Sequence, residues 1–267
     1  MKISVVVPAY NCEKTIIKSL ESVKNQVVDP SVEFEMIIIN DGSTDNTLDV
    51  INGFLQRNKS LNARVYTKVN GGVSSARNFG ISHSTGEWIA FLDSDDSWLK
   101  EKTQSQVDFI NTHPNVNFIG CSRNNETLSL WGRKIDRTYQ AKVDDLLFKM
   151  FPQTSTAMVR KTTLEEVGFY REDMTHAEDG ELWIRICHAG TFYYMPNSLV
   201  STGDGKHNYG ESGLSANLSE MHKGTMTMLR HSYEGNIISS AIKYYLFCFY
   251  YNLKYFRRVV YVWGRKL

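Results

Sequence analysis

Four times within residues 1–115, a short apolar run stops at polar residues and gives way to helical spacing. Ile3 to Val7 is a β-branched run, the pattern of a strand buried on both faces of a parallel sheet. Pro8 ends it, because proline cannot donate to a sheet ladder. Asn11 is then expected to cap a helix with Ile16, Leu20 and Val23 on one face. Met36 to Ile39 reads as the second strand, running into Asn40–Asp45 and a helix with Leu48, Ile51 and Leu55 inward. Val65-Tyr66, the Asn70-Gly71-Gly72 turn and a helix over 73–83 form the third unit. Trp88 to Leu92 forms the fourth strand, followed by a helix through Val107 and Ile110. Alternation of this kind predicts an α/β fold: a mostly parallel, Rossmann-like sheet with helices on both faces. Ligands bind such sheets beyond the carboxyl ends of the strands. Three polar loops lie there: Pro8–Asn11, Asn40–Asp45 and Asp93–Asp96. No G-x-G-x-x-G or G-K-[ST] loop follows the first strand, which disfavours dinucleotide-binding and P-loop folds.

The fourth strand ends in Asp93-Ser94-Asp95-Asp96, three carboxylates within four positions. Like charges this close repel unless a cation sits among them. Hard oxygen ligands suit Mg²⁺ or Mn²⁺, and such an ion takes one or two carboxylates together with phosphate oxygens. The competing reading is a solvated acidic turn. A second is the nucleophile motif of haloacid-dehalogenase-type phosphatases, disfavoured because three strand–helix units precede the aspartates and Ser97 stands where Thr or Val is usual.

Residues 116–216 are less regular. Strands are expected over 116–120, 156–159 and 191–195, a hairpin or excursion over 122–140, and a helix over 178–188 with Leu182, Trp183 and Ile186 inward. The glycine-rich stretch 201–216 could close over a ligand. Beyond it, 217–267 reads as a helical extension in which Ile242, Leu246, Phe249, Leu253, Phe256, Val260 and Trp263 form one apolar stripe. The net charge of +1 is unevenly spread. No acid follows Glu234, while Lys243, Lys254, Arg257, Arg258, Arg265 and Lys266 all do. A basic, aromatic helix suits an anionic membrane interface, and residues 236–267 are the expected contact. The other reading is a helix packed on the enzyme or on a second subunit. Four dispersed cysteines, lacking C-x-x-C or zinc spacing, read as reduced thiols. The first residues carry too short an apolar run for a signal peptide, and no uncharged apolar stretch reaches the ~20 residues that span a bilayer. The expected location is cytoplasmic, peripheral at the inner face of the cytoplasmic membrane. No nucleic-acid partner is expected, and oligomeric state is left open.

Four blocks, in order, resemble the family 2 glycosyltransferases of the GT-A fold. They are Ser4-Val5-Val6-Val7-Pro8-Ala9-Tyr10-Asn11, Ile39-Asn40-Asp41-Gly42-Ser43-Thr44-Asp45, Asn70-Gly71-Gly72-Val73-Ser74-Ser75-Ala76-Arg77-Asn78-Phe79-Gly80 and Phe91-Leu92-Asp93-Ser94-Asp95-Asp96. Looser matches follow at Glu178–Trp183 and Gly210–Ser215. The resemblance implies a glycosyltransferase domain over 1–216, with a nucleotide-sugar half (1–115) and an acceptor half (116–216). It implies inverting transfer of one sugar from a UDP-sugar, with Mn²⁺ or Mg²⁺, to a hydroxyl of a glycan. The basic tail adds that the acceptor is lipid-linked, as in assembly of bacterial surface polysaccharide or lipopolysaccharide.

The resemblance also distributes roles. Pro8, Ala9, Tyr10 and Asn11 would hold the uracil ring, and Asn40 or Asp41 would accept a hydrogen bond from the base imide. Arg77 would face the base or the diphosphate. Asp93, with Ser94, would contact the ribose or sugar. The metal would fall to Asp95 or Asp96, undecided between them. Asp179, with Glu178 alongside, would be the general base, although acids at a helix N-terminus are favoured by its dipole in any case. Lys206 and His207 would lie near the diphosphate, and His176 would shape the acceptor pocket. A non-catalytic nucleotide-sugar-binding or scaffolding subunit is the competing functional reading, disfavoured by the retained Asp95, Asp96 and Asp179.

Overall fold

The computed structural model of the protein describes residues 1–203 and 217–264. The chain runs β1 (Lys2–Ala9), α1 (Ile16–Lys24), β2 (Glu33–Asp41), α2 (Thr47–Arg57), β3 (Ala63–Lys68), α3 (Gly72–Ser82), β4 (Trp88–Phe91), β5 (Ser97–Trp98) and α4 (Lys102–Thr112). It continues through β6 (Val116–Arg123), β7 (Ser129–Leu130), β8 (Arg133–Lys134), β9 (Tyr139–Gln140), α5 (Val143–Phe148) and a 3₁₀ turn, Thr154–Thr156. Then come β10 (Met158–Arg160), α6 (Lys161–Val167), α7 (Glu178–Ala189), β11 (Thr191–Ser201), α8 (Leu218–Glu234) and α9 (Ala241–Gly264).

The main sheet has the order β3-β2-β1-β4-β10-β6-β11-β5. β3, β2, β1 and β4 are mutually parallel, as the alternating pattern predicts. β10 enters antiparallel between β4 and β6, so the sheet is mixed at its centre. β11 then runs parallel to β6, although the two strands belong to the irregular half of the sequence. The two-sided burial follows from alternation along each strand. Ile3, Val5 and Val7 of β1 pack into one apolar layer and Val6 into the other. In β4, Trp88 and Ala90 take the first layer, Ile89 and Phe91 the second. Each buried Val, Ile or Phe among them contributes about 1.5–3 kcal/mol by leaving water. Helix α3 lies unusually close to the sheet: a Cβ on Gly80 would come within 2.4 Å of Val6 Cγ1.

Two local expectations change. Asn11 does not cap a helix, since α1 begins at Ile16 with Thr15 before it. Asn11 instead takes a left-handed φ of 46° and accepts hydrogen bonds from Thr44 N and Thr44 Oγ1, tying the loop after β1 to the loop after β2. The 122–140 stretch resolves into a β7–β8 hairpin followed by β9, which pairs with β11.

The apolar stripe of α9 faces outward. Ile242, Leu246, Phe249, Leu253, Phe256 and Trp263 expose between 54% and 75% of their surface. The helix packs on the body through its other side, where Tyr244, Phe247, Cys248 and the buried Tyr251 meet the second apolar layer. Lys243 does find an acid, Asp144, which the tail sequence alone does not supply. Among the described residues, no helix is long and apolar enough to cross a membrane.

Candidate active site

The parallel register brings the strand ends to one rim. Ala9 pairs with Asn40, Asp41 with Lys68, and Val6 with Phe91, so the loops leaving β1, β2, β3 and β4 are neighbours. They line a cavity of about 700 Å³ together with the start of α7, residues from β6 and α8, and Thr202 and Gly203 just after β11. Pro8, Ala9, the exposed Tyr10, Asp41, Asn70, Gly72 and Val73 form one wall. Asp41 lines the cavity with a carboxylate already held by Lys68 Nζ at 2.7 Å and by the N–H groups of Gly71 and Gly72. The Asn40 side chain is spent on local structure: Oδ1 accepts from Ser43 N and Nδ2 donates to Thr67 Oγ1. Asn40 and Asn11 are not among the lining residues; Pro8, Ala9, Tyr10 and Asp41 are.

The three aspartates after β4 diverge in environment. Asp95 is exposed and lines the cavity. Asp96 is buried, 4% exposed, and its Oδ2 accepts from Ser155 Oγ at 2.5 Å and from Gln153 Nε2 at 3.0 Å, while Oδ1 accepts from Gly203 N. Burial, with the charges of Asp93 and Asp95, pushes the Asp96 carboxyl up to about 7. Asp93 Oδ1 accepts from Arg77 Nη2 at 2.7 Å. The other end of that guanidinium, Nη1, reaches Glu178 Oε1 at 3.1 Å. Arg77 is 4% exposed and lies over the Tyr170 ring. Expected to face a ligand, it lines the cavity and is also a strut between the aspartate loop and α7.

Glu178 and Asp179 open α7, where aligned backbone N–H groups favour negative charge. Ala177 precedes them with a left-handed φ of 58°, a conformation that costs a β-carbon residue of order 1 kcal/mol and turns the pair into the cavity. Asp179 Oδ2 accepts from Thr154 Oγ1 at 3.3 Å, and Oδ1 from Gly180 N at 2.7 Å. Burial raises the Asp179 carboxyl, with Arg77 opposing. Burial and the Asp179 charge push Glu178 up to about 7, again against Arg77. His176 is buried and lines the cavity, with Gly224 of α8 so near that a Cβ there would meet His176 O at 2.3 Å.

The turn Gln153-Thr154-Ser155 had no part in the sequence reading, yet it touches both acidic groups. Gln153 and Ser155 hold Asp96, Ser155 Oγ accepts from Asp93 N, and Thr154 bonds Asp179. These partners lie 25–62 residues away in sequence, and the only local cue is a polar run after Phe151-Pro152. Arg123, Thr175, Thr202 and Met221 also line the cavity and were not foreseen. Lys206, His207 and the 210–215 block lie outside the described residues. Ser155→Ala strips a buried carboxylate of its shortest bond and Asp93 N of its acceptor, so it should cost about 1.5–3 kcal/mol. Urea unfolding measures this; a loss below about 0.5 kcal/mol, the range of a neutral surface change, would remove Ser155 from the framework.

A divalent cation fits this wall. Among the described residues, no group of three His, Cys, Asp or Glu side chains forms a self-contained cage. An exposed carboxylate at Asp95, beside two further carboxylates engaged elsewhere, is the donor set of an ion whose coordination is completed by substrate phosphates and water. Burial is the main cause of the upward shift of Asp96, and the charges of Asp93 and Asp95 that add to it are the crowding a cation would relieve.

A mixed sheet of this order, with an aspartate loop at its carboxyl rim, defines the GT-A class of fold, and solved structures agree. Staphylococcus aureus TarS 1-349 in complex with UDP-GlcNAc matches with a TM-score of 0.67 at 23% identity, over 86% of this chain and 66% of that one. A Pyrobaculum calidifontis mannosyltransferase in complex with GDP-Man and Mn²⁺ matches with a TM-score of 0.68 at 16% identity, over 87% and 64%. Residues 4–168 match the model of Glycosyl transferase family 2, and the chain belongs to that family. An uncharacterized glycosyltransferase of Rickettsia bellii is 32% identical over 189 residues, 69% of this chain but 26% of that protein. Chondroitin synthase of Pasteurella multocida is 41% identical over 127 residues, 43% of this chain and 12% of that protein. The chain thus spans about a quarter or less of the length of these two relatives.

Proposed function

We propose that the protein is an inverting, metal-dependent glycosyltransferase that moves one sugar from a UDP-sugar to a hydroxyl of a lipid-linked glycan. The observation that carries this is the meeting of the strand-end loops, Asp95 and the Glu178-Asp179 pair around one cavity. UDP-GlcNAc bound to TarS and the name of the chondroitin synthase support a UDP-sugar and a glycan. The base lies against Pro8, Ala9 and Tyr10, with Asp41 near its imide edge. Arg77 fixes Asp93, which contacts the ribose or sugar. Asp95 is the direct metal ligand and Asp96 holds the loop, because Asp95 is solvent-exposed while the Asp96 carboxylate, although it also lines the cavity, is buried and bonded to Gln153, Ser155 and Gly203. A Mn²⁺ or Mg²⁺ ion there would neutralise the diphosphate as it departs. Asp179 takes the proton of the attacking acceptor hydroxyl, and Glu178 and Thr154 keep it in place. Attack on the face opposite the departing diphosphate inverts the anomeric centre. The outward stripe of α9 and its cations set the enzyme against the cytoplasmic face of a membrane, where a lipid-linked acceptor resides.

A thermal-shift screen of nucleotide sugars with Mn²⁺ or Mg²⁺ tests the donor. A UDP-sugar should raise Tm in the presence of metal, by the linkage of ligand binding to the folded state. Asp95→Asn should remove the metal-dependent part of that shift while leaving the protein folded. If no UDP-sugar stabilises the wild type, the donor reading fails; if Asp95→Asn responds to metal as the wild type does, the ligand assignment fails.

A further inference from the structure

Lys102 and Gln106 of α4 are wholly buried and do not line the catalytic cavity. The Lys102 ammonium lies 3.9 Å from the Trp98 ring centroid and donates to Gln106 Oε1 at 2.8 Å. Burial pushes it down to about 8. Such a charge is costly to bury, and α4 otherwise meets the first apolar layer with Val107 and Ile110. The effect of the charge there is to fix an amide. A glutamine amide can turn over, exchanging its acceptor oxygen and its donor nitrogen. With Oε1 on Lys102, Gln106 Nε2 faces the opposite way and donates to Thr156 O at 2.9 Å and Ile119 O at 3.2 Å. The Trp98 indole N–H donates to Ser155 O at 2.7 Å. Two successive carbonyls of the Thr154–Thr156 turn are thus held by buried donors. The side chains of the same turn, with Gln153 before it, hold Asp96 and Asp179.

We propose that Lys102 and Gln106 are positioning residues for sugar transfer: they set the 153–156 turn, which keeps the aspartate loop and the base Asp179 in register. The proposal rests on the roles given above to Asp96 and Asp179. Those two carboxylates leave separate elements, β4 and α7, and the turn bonds both. A 3₁₀ piece of three residues has poor hydrogen-bond geometry of its own, so bonds from outside decide where it sits. Gln106 Nε2 and Trp98 Nε1 supply those bonds, and Lys102 keeps the amide pointing the right way while resting on the Trp98 ring. Displacing a catalytic group by about 1 Å can cost on the order of 10²-fold in rate, so a small shift of the turn is enough to slow transfer.

The test uses the full chain. Lys102→Met is close in length and removes the ammonium, so the Gln106 amide is free to turn over. Gln106→Glu keeps an acceptor for Lys102 and removes the N–H donors to Thr156 O and Ile119 O. Both variants, assayed well below Tm, should lower kcat at least tenfold. The Kd for UDP without metal should stay within about twofold, because the wall assigned to the base is Pro8, Ala9 and Tyr10. Ile110→Ala, on the same helix and in the same apolar layer, should lower Tm and leave kcat unchanged. Amide hydrogen exchange at Thr156 and Ala157, which donate to Gln153 O and Thr154 O, should quicken at least tenfold in both polar variants. That readout needs no turnover. Wild-type kcat in either polar variant would overturn the proposal, as would unchanged exchange at Thr156 and Ala157. So would an equal fall of kcat in Ile110→Ala, which would make lost stability the cause. Quickened exchange together with full transfer by Asp179→Asn would instead strike the reading of Asp179 as the base.

Discussion

Asp179→Asn is expected to lower the rate of sugar transfer by about 10²–10⁴-fold, the usual contribution of a positioned general base. An amide has nearly the same shape and can still meet Thr154 Oγ1 and Gly180 N, so the fold and the affinity for UDP should hold. Transfer assayed beside UDP binding separates the roles: unchanged turnover would end the assignment of Asp179 as the base. The pH profile gives an independent check. A base must be ionised, and burial raises both carboxyls of the pair, Glu178 to about 7. A raised pKa keeps the proton on to higher pH, so the ionised base is lost on the acid side before an ordinary aspartate would be protonated. The kcat/KM for transfer should therefore drop on the acid side by up to about tenfold per pH unit and level off at higher pH. A fall that sets in only within the ordinary aspartate range would contradict this.

Arg77→Met should destabilise the protein by about 3–5 kcal/mol, because it leaves two carboxylates without their shared cation. Arg77 and Glu178 are almost wholly shielded from water, and the Asp93 side chain is 25% exposed, so solvent does little to replace the guanidinium. Arg77→Lys should recover little of the loss, since a single ammonium cannot bond Asp93 and Glu178 from two separated nitrogens as the planar fork does. Denaturant unfolding of both variants decides the point. A cost near 1 kcal/mol for Arg77→Met, or full recovery with Lys, would mean that the strut carries little of the stability and that Arg77 serves the ligand instead.

Legibility in the sequence tracked sequence distance. Strands β1 to β4 and helices α1 to α4 announce themselves through local periodicity, and parallel strands place their terminal loops on one rim whatever the remaining chain does. Asp179 was legible only through the resemblance, because a Glu-Asp pair at a helix start is common for reasons of the dipole alone. Gln153 and Ser155 were not legible. Nothing in a polar run predicts that it will bond carboxylates some sixty residues upstream, since that depends on β10 entering antiparallel between β4 and β6.

The sequence by itself determined the α/β alternation, the rim carrying Asp93 to Asp96, and an amphipathic α9 with a basic flank. Only the tertiary structure decided which aspartate is open to solvent and which is buried, for both line the cavity. Asp95 and Asp96 are adjacent and chemically identical, and burial against Ser155 and Gln153 separates them. It also decided that the stripe of α9 turns outward, because Tyr244, Phe247, Cys248 and Tyr251 offered a second apolar side and the core took that one. Periodicity reports which residues share a face of a helix. Which face is buried depends on what the rest of the chain presents to it, and that is a property of packing.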